Sequence, residues 1–253
     1  MKKIKGFIIF LVSLFGIVFL FEPYIVPENF SPQQILSLAA ENDVIIFFNS
    51  GGWGNTPLEK ADDFAPIIQG IQQTLKDWGY NSIVVPYNRT KNGFLGKMSS
   101  SRDFLTSFDF SSNNLAQEVN FLAEKLPDKK IILTGLSNGS TLVNRTYEKI
   151  SEEDRDSVYT ITAGAPFWVE TVKSENALLI NNNGKDTLAK GDIKSLFLAL
   201  IETPFRWVFS KLNGQNLTLV QAAHAHGHDY PWSSPEINSQ IISFLSSKFI
   251  PQN

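Results

Sequence analysis

Cysteine is absent from this chain. Its absence excludes disulfide bonds, thiolate metal sites and a cysteine nucleophile. An excess of basic residues is also lacking: the net charge is -3 at pH 7, so no broad positive field indicates a nucleic-acid partner. The sequence shows no internal repeat and no low-complexity segment. With 253 residues, 43% of them hydrophobic, the chain is long enough for one large domain with a full core.

The N-terminal segment differs in composition from the rest of the chain. Three lysines stand within the first five residues, and an uncharged apolar run follows over 6–21. As a helix this run rises about 24 Å, somewhat less than the roughly 30 Å hydrocarbon core of a bilayer. Bulky residues follow it where signal cleavage requires small ones. We therefore predict an uncleaved signal anchor or signal peptide at 1–22, in the favoured case an N-terminal hydrophobic helix that holds the remaining chain outside the cytoplasm. A cleaved signal, giving a secreted protein, and a buried core helix are the alternatives.

The remaining chain is predicted to form a linker with a short helix at 23–42 and one domain at 43–253. Ser31 is suited to cap that short helix, because Pro32 follows at the first helical position. Within the domain, apolar strands alternate with helices, which is typical of a doubly wound α/β fold with a mostly parallel sheet and helices on both faces. Strands are predicted at 43–50, 81–88, 130–135, 157–168, 176–184 and 215–223, and helices at 64–79, 111–130, 138–150, 191–212 and 234–249.

The clearest chemical motif is "GLSNG" at 135–139, where an apolar strand gives way to a helix. In a strand–turn–helix context, G-x-S-x-G is typical of a nucleophile elbow, in which the serine hydroxyl projects above the sheet. Gly135 and Gly139 lack Cβ atoms, so strand and helix can pack closely around Ser137. The pattern also arises by chance in ordinary loops, but this context favours Ser137 as a nucleophile. The backbone N–H of Asn138, at the helix N-terminus, is then a candidate donor to an oxyanion.

A candidate acid follows a later strand. The loop 181–192, "NNNGKDTLAKGD", contains Asp186 and Asp192. An aspartate in a loop rich in glycine and asparagine is more often only a turn former. Its position after a predicted strand nevertheless makes Asp186 the preferred partner of a catalytic base. Asp192 and Glu170, which lies after the preceding predicted strand, are the alternates.

All three histidines lie close together near the C-terminus, in "AAHAHGHDYPW". The H-x-H-x-H spacing of His224, His226 and His228 places alternate residues on one face of a strand, as in some metal sites. Such a site needs further ligands, and Gly227 interrupts the strand. We therefore prefer a general base in this loop. His228, just past the glycine, is favoured over His226.

The order of serine, acid and histidine, with the motifs "GLSNG", "GKD" and "GHDY", resembles the α/β-hydrolase superfamily across essentially residues 40–250. In that superfamily a second oxyanion amide comes from the loop after the first major strand. Here that loop is "NSGGWGN", and the resemblance implies the backbone N–H of Trp53 as the donor, with Gly52 as the next choice. Gly51 stands where the superfamily often has histidine, which is a departure from the pattern.

The resemblance implies acyl transfer to Ser137, with His228 as the base and Asp186 orienting it. No cofactor or metal is required, and the implied partners are a small-molecule or lipid-like acyl substrate and, through the N-terminal segment, a membrane. A catalytically inactive hydrolase-fold binding protein and a histidine metal-binding protein are the alternatives. Residues 88–112, predicted as a long polar loop, and the apolar stretch 193–212 are candidate walls or lid. For the stretch 193–212 we favour a helix that covers the sheet. The alternative is a helix that contacts an acyl chain or a membrane surface.

Overall fold

The structure is a computed structural model that describes residues 27–215, 217 and 225–250, together with residues 13 and 16, and only the backbone of residue 200. The predicted anchor at 1–22 and nearly all of the predicted strand at 215–223 lie outside the described residues. In the described part of the chain, no helix is both long and apolar enough to cross a membrane.

Five parallel strands form one sheet in the described part of the chain, with the order β2-β1-β3-β4-β5. Every residue of β1 is buried, as expected for a parallel sheet covered on both faces. The predicted α/β fold class is confirmed. The strands are β1 Val44–Asn49, β2 Ser82–Pro86, β3 Lys130–Leu136, β4 Val158–Ala163 and β5 Ala177–Ile180.

Helices connect the strands and cover the sheet. Single 3-10 turns lie at Leu58–Lys60, Arg155–Ser157 and Asn182–Gly184. The α-helices are α1 Pro32–Ala39, α2 Ala65–Asp77, α3 Phe94–Leu105, α4 Asp109–Lys125, α5 Asn138–Lys149, α6 Thr187–Lys190, α7 Ile193–Leu212 and α8 Pro235–Phe249.

The core has two halves, one on each face of the sheet. Successive side chains of a strand point to opposite faces, so Ile46 of β1 lies in one half and Ile45 and Phe47 lie in the other. The first half is filled by α2 and α8 and the second by α1, α4 and α5. The buried helix residues of the first half include Ile67, Ile71, Leu75, Ile237, Ile241 and Leu245, and those of the second include Ile35, Leu115, Val119, Leu122, Leu142 and Val143.

The strand order changes direction next to β1. From β1 the chain passes to β2 on one side, and then crosses to β3 on the other side. In open α/β sheets, ligands bind outside the carboxyl ends of the strands at such a switch point. The loop that follows β1 and the turn that follows β3 are therefore the places where a site is expected.

The predicted long loop at 88–112 is wrong, because it contains helix α3 and the beginning of α4. Besides Met98, the buried residues of α3 are Gly96, Ser100 and Asp103. A helix that buries small and polar residues has no apolar stripe, so its hydrophobic periodicity was not visible in the sequence.

The favoured interpretation of 193–212 is also wrong: a helix that covers the sheet would bury its apolar side chains, and this one does not. Helix α7 occupies this range and includes Pro204. Most of its large apolar side chains are exposed, whereas Thr203 and Ser210 are buried. The sequence composition therefore did not predict that this helix leaves most of its large apolar side chains on the surface.

Candidate active site

The turn after β3 holds Ser137 in a strained backbone conformation. Its φ is 54° and its ψ is -116°, immediately before α5. A residue other than glycine in such a region costs on the order of 1–3 kcal/mol and persists only when its surroundings hold it. Here the N–H of Ser137 donates to the carbonyl of Ala163 at 2.9 Å, and its own carbonyl accepts from the N–H of Thr141 at 3.1 Å. The backbone thus fixes this serine at the carboxyl edge of the sheet.

The two glycines of the motif permit this close packing. A Cβ at Gly139 would lie 2.2 Å from the carbonyl oxygen of Asn49 at the end of β1. A Cβ at Gly135 would lie 2.4 Å from the backbone of Gly139. Since no real Cβ atom tolerates such distances to backbone, the G-x-S-x-G spacing here follows from steric contact between β1, β3 and α5.

Asp186 and His228 are in direct contact, although 42 positions separate them in sequence. His228 Nδ1 lies 2.8 Å from Asp186 Oδ2. Asp186 is 0% exposed. Its other oxygen, Oδ1, accepts from the N–H groups of Leu188 and Ala189, at 2.8 and 3.1 Å, at the beginning of α6. The carboxylate is therefore held from both sides.

Tyr230 is a third group on the same carboxylate, and the sequence analysis missed it. Its hydroxyl donates to Asp186 Oδ2, the oxygen that also contacts His228. Burial raises the pKa of Asp186, but hydrogen bonds from His228 and Tyr230 outweigh burial, and the pKa lies below its ordinary value. Burial and the neighbouring carboxylate raise the pKa of Tyr230. Asp186 is thus kept ionised and Tyr230 neutral.

The imidazole of His228 lies against the stretch that also holds Ser137. A Cβ at Gly164 would be 2.4 Å from His228 Cε1. The preceding residue, Ala163, accepts the backbone N–H of Ser137. The elbow serine and the imidazole therefore contact adjacent residues, Ala163 and Gly164, at the end of β4. Asp63, before α2, is a second acid near His228 that no sequence motif indicated: burial raises its pKa above the ordinary value, and the imidazole only partly offsets this.

The alternates lie elsewhere. His226 is exposed, and its carbonyl accepts from the N–H of Thr187 at 3.0 Å. Glu170 is exposed in the loop after β4. Asp192 caps α7 by accepting from the N–H of Ser195 at 3.2 Å. His224 lies outside the described residues, and the residues that are described contain no group of three His, Asp or Glu side chains that could hold a metal ion.

The predicted oxyanion loop follows β1 and contacts the elbow. Asn138 Nδ2 donates to the carbonyl of Gly52 at 3.1 Å. The hydroxyl of Thr90 donates to the carbonyl of Trp53 at 2.7 Å. Within the described residues, the backbone N–H groups of Trp53 and Asn138 have no acceptor. These two amides, together with that of Gly52, are therefore available to a ligand oxygen.

A buried arginine, also missed in the sequence analysis, holds this loop. Arg89 Nη2 donates to the carbonyls of Ser50 and Gly52, at 3.2 and 3.1 Å. Its guanidinium lies over the ring of Phe108, 4.9 Å from the centroid. Burial lowers the pKa of Arg89 to about 10, so it remains charged at neutral pH. A missing Cβ at Gly54 leaves the space that this side chain fills.

Gly51, the departure from the hydrolase pattern, fits the loop as it stands. A Cβ at this position would lie 3.2 Å from the carbonyl oxygen of Leu136 and 3.7 Å from the Cβ of Ser137. A larger side chain here would approach the elbow closely. The glycine is therefore compatible with a formed elbow and is not by itself a sign of lost catalysis.

No protein-family model and no curated protein matches the chain. Among solved structures, the chain is similar to a cutinase of Trichoderma reesei in complex with a phosphonate inhibitor, with 17% identity and a TM-score of 0.42. That match covers 59% of this chain and 65% of the cutinase, which is less than two thirds of the cutinase's length. The chain is also similar to an acetylxylan esterase, with 13% identity, a TM-score of 0.47, and coverage of 82% of this chain and 98% of the esterase. At these TM-scores the likenesses do not assign an activity.

Proposed function

We propose that this protein is a serine hydrolase that cleaves an ester or a related acyl bond. The observation that carries the proposal is the contact of His228 Nδ1 with the buried Asp186, at the same edge of the sheet as the strained Ser137. A buried carboxylate that binds one imidazole nitrogen orients the other nitrogen to accept a proton. A serine held on a strained turn before a helix is the matching nucleophile.

In the proposed mechanism, Ser137 Oγ attacks the acyl carbon while its proton passes to His228 Nε2. The carbonyl π bond breaks, and its electron pair moves to the oxygen to form a tetrahedral oxyanion. Collapse of this intermediate expels the leaving group, which takes the proton from His228, and leaves an acyl-enzyme. Water then attacks the acyl-enzyme while its proton passes to His228. Collapse of the second tetrahedral intermediate returns that proton to Ser137 Oγ and releases the acid product. Asp186 stabilises the charged imidazole in both halves of the reaction.

We assign the oxyanion to the backbone N–H groups of Trp53 and Asn138, which have no acceptor within the described residues, with Gly52 as the alternative donor. Each such donor contributes about 3 kcal/mol when it is aligned with the developing charge. The positive end of α5 adds to this effect, because Asn138 is its first residue.

A fluorophosphonate probe and a short p-nitrophenyl ester test the proposal. We expect the probe to label Ser137, and Ser137→Ala to lose labelling and to lower kcat at least about 10⁴-fold. Ser107→Ala is the matched control, because Ser107 is an exposed serine with the same φ of 54°, and it should retain both. A folded protein that neither labels nor hydrolyses any acyl substrate would contradict the proposal and favour a binding protein.

We also propose that residues 1–22 anchor the protein in a membrane, with the domain on the extracytoplasmic side. The lysines before the apolar run and the bulky residues after it support this proposal. In a bacterial host, the full chain should resist alkaline extraction from membranes, and deletion of 2–22 should release it. A full chain that is found in the medium with a new N-terminus would show cleavage instead.

A further inference from the structure

Helix α7 leaves most of its large apolar side chains exposed, although Leu196, Ala199 and Trp207 are half-buried. Its buried residues, Thr203 and Ser210, are 8% and 4% exposed, and their hydroxyls bond to carbonyls of the same helix at 2.7 and 2.8 Å. A surface helix in water usually directs its large apolar side chains toward the core and exposes a charged or polar face. The outward side chains are 47–74% exposed: Ile193, Phe197, Leu198, Ile201, Phe205, Val208, Phe209 and Leu212.

Further exposed apolar side chains lie around the candidate site. Phe167 and Trp168 follow β4, and the ring of Trp168 lies 6.2 Å from that of Phe104 on α3. Phe167 also contacts Gly191, the residue that precedes the cap of α7. We use the name apolar rim for the outward face of α7 together with Phe104, Phe167 and Trp168. Exposed apolar side chains in such number mark an interaction site.

The chain reaches the domain at the same edge. Asn29 and Asn88 exchange two hydrogen bonds, at 3.0 and 2.8 Å, and Asn88 follows the carboxyl end of β2. Seven residues lie between Phe21, the end of the apolar run, and Asn29, so the eight steps from one to the other span at most roughly 28 Å. If the run is inserted in a bilayer, the carboxyl edge of the sheet is therefore held close to that bilayer.

The charges of α7 suit a phospholipid surface. The helix has three basic residues, Lys194, Arg206 and Lys211, and one acidic residue, Glu202, whereas the whole chain has a net charge of -3. Long basic side chains next to an apolar face place their charges at headgroups while the apolar groups enter the acyl region.

We propose that the apolar rim docks on the surface of a lipid bilayer. Docking places the carboxyl edge, with the elbow and the oxyanion loop, against the lipid. It follows that the acyl substrate is a lipid ester drawn from that surface; this second statement rests on the proposed hydrolase function, whereas the docking does not.

The absence of cysteine allows docking to be measured with single introduced cysteines in the full chain. Phe197→Cys and Phe205→Cys place an environment-sensitive fluorophore on the outward face of α7. Glu124→Cys is the control, because it is exposed near the end of α4 and at the opposite edge of the sheet. Each protein is reconstituted in vesicles of phosphatidylcholine and phosphatidylglycerol, with or without a nitroxide-labelled lipid.

The expected result is a blue shift and quenching by the nitroxide lipid at positions 197 and 205, with little quenching at 124. Equal quenching at all three positions overturns the proposal. A blue shift without lipid quenching also overturns it, because the face is then covered by protein. Disulfide-linked dimers of Phe205→Cys would identify that protein as a second copy, and their absence would point to the N-terminal run.

A comparison of two substrates tests the second statement. We expect the Phe197→Ser/Phe205→Ser double variant to hydrolyse a short soluble ester within about twofold of the unaltered chain, and a long-chain ester in vesicles about tenfold more slowly, because less apolar area enters the bilayer. Equal rates on the vesicle ester overturn the statement. If the unaltered chain hydrolyses neither ester, the hydrolase proposal fails while the fluorescence result still decides docking.

Discussion

The two halves of the candidate site are built differently. The elbow half lies on β1 and β3, adjacent strands inside the sheet, and contact between backbone atoms at Gly135 and Gly139 determines its shape. The acid–base half lies on loops after β5 and before α8, and it is held together by the carboxylate of Asp186, which bonds to both His228 and Tyr230. The elbow half is therefore determined by steric contact and the other half by hydrogen bonds, so substitutions should affect the two halves in different ways.

The largest effect after loss of the nucleophile is expected in the acid–base half. Asp186→Asn should lower kcat about 10⁴-fold, because a neutral amide favours the wrong tautomer of the imidazole. Asp192→Asn, in which asparagine can still cap α7, should remain within about twofold. Steady-state hydrolysis of a short ester measures both. An Asp186→Asn enzyme as active as the unaltered chain would exclude this carboxylate from the mechanism.

Gly164→Ala tests whether steric contact also matters in the acid–base half. Its Cβ would displace the imidazole of His228, so we expect kcat to fall about 10²-fold, as for other small misplacements of a catalytic group. Gly184→Ala is the control: Gly184 also has a positive φ, of 73°, but a Cβ there would meet nothing within 4 Å. Equal losses in both variants would indicate backbone strain and not displacement of the ring.

Arg89→Lys tests the elbow half through the oxyanion loop. Lysine retains the charge but loses the planar guanidinium whose Nη2 donates to the carbonyls of Ser50 and Gly52. We expect roughly tenfold lower kcat with little change in KM, since removal of a whole oxyanion donor costs about 10²–10³. Arg145→Lys, at an exposed pair with Glu148, should be unaffected. A change in KM alone would place Arg89 in substrate binding.

The smallest effect is expected for Tyr230→Phe, which removes one of the hydrogen bonds to Asp186. At about 1 kcal/mol for one bond, kcat should fall roughly fivefold. The pKa of Asp186 should rise toward its ordinary value, because one group that stabilises the carboxylate is gone.

The same variant has a pH signature. The lowered pKa of Asp186 contributes folding stability that is present above the unfolded value of about 4 and is lost as the pH falls through the folded value. In Tyr230→Phe this contribution is smaller and should disappear at a higher pH, which urea unfolding between about pH 7 and 3 measures. Tyr80→Phe removes a hydrogen bond to the carbonyl of Phe249 and should lower stability without this pH dependence.

Much of the fold was predictable because buried parallel strands are continuous apolar runs that differ from amphipathic helices such as α8. Four of the five strands that the structure describes lie within predicted ranges, and β3 extends one residue beyond its range, to Leu136. Helix α3 was not predictable, because it buries Gly96, Ser100 and Asp103, and periodicity analysis depends on apolar side chains. The exposure of the apolar side chains of α7 was not predictable either, since the number of apolar residues in a helix does not tell which way they face.

The candidate site divides in a similar way. The glycine spacing and the strand before it identified the elbow, because both are local features of the chain. Asp186 and His228 were predicted from their order after the elbow, but their contact, and the exposure of His226, exist only in the folded chain. Tyr230 and Arg89 belong to no motif, so nothing local indicated that one bonds to the carboxylate and the other to the oxyanion loop.

The sequence by itself determined the strands, the strained turn at Ser137 and the apolar N-terminal run, since backbone sterics and hydrophobicity act between neighbours in the chain. Only the tertiary structure decided which histidine contacts Asp186, which arginine supports the loop after β1, and which face of α7 is exposed. These choices depend on contacts between residues far apart in sequence, and such contacts form only when the crossover of the sheet brings the carboxyl ends of its strands together.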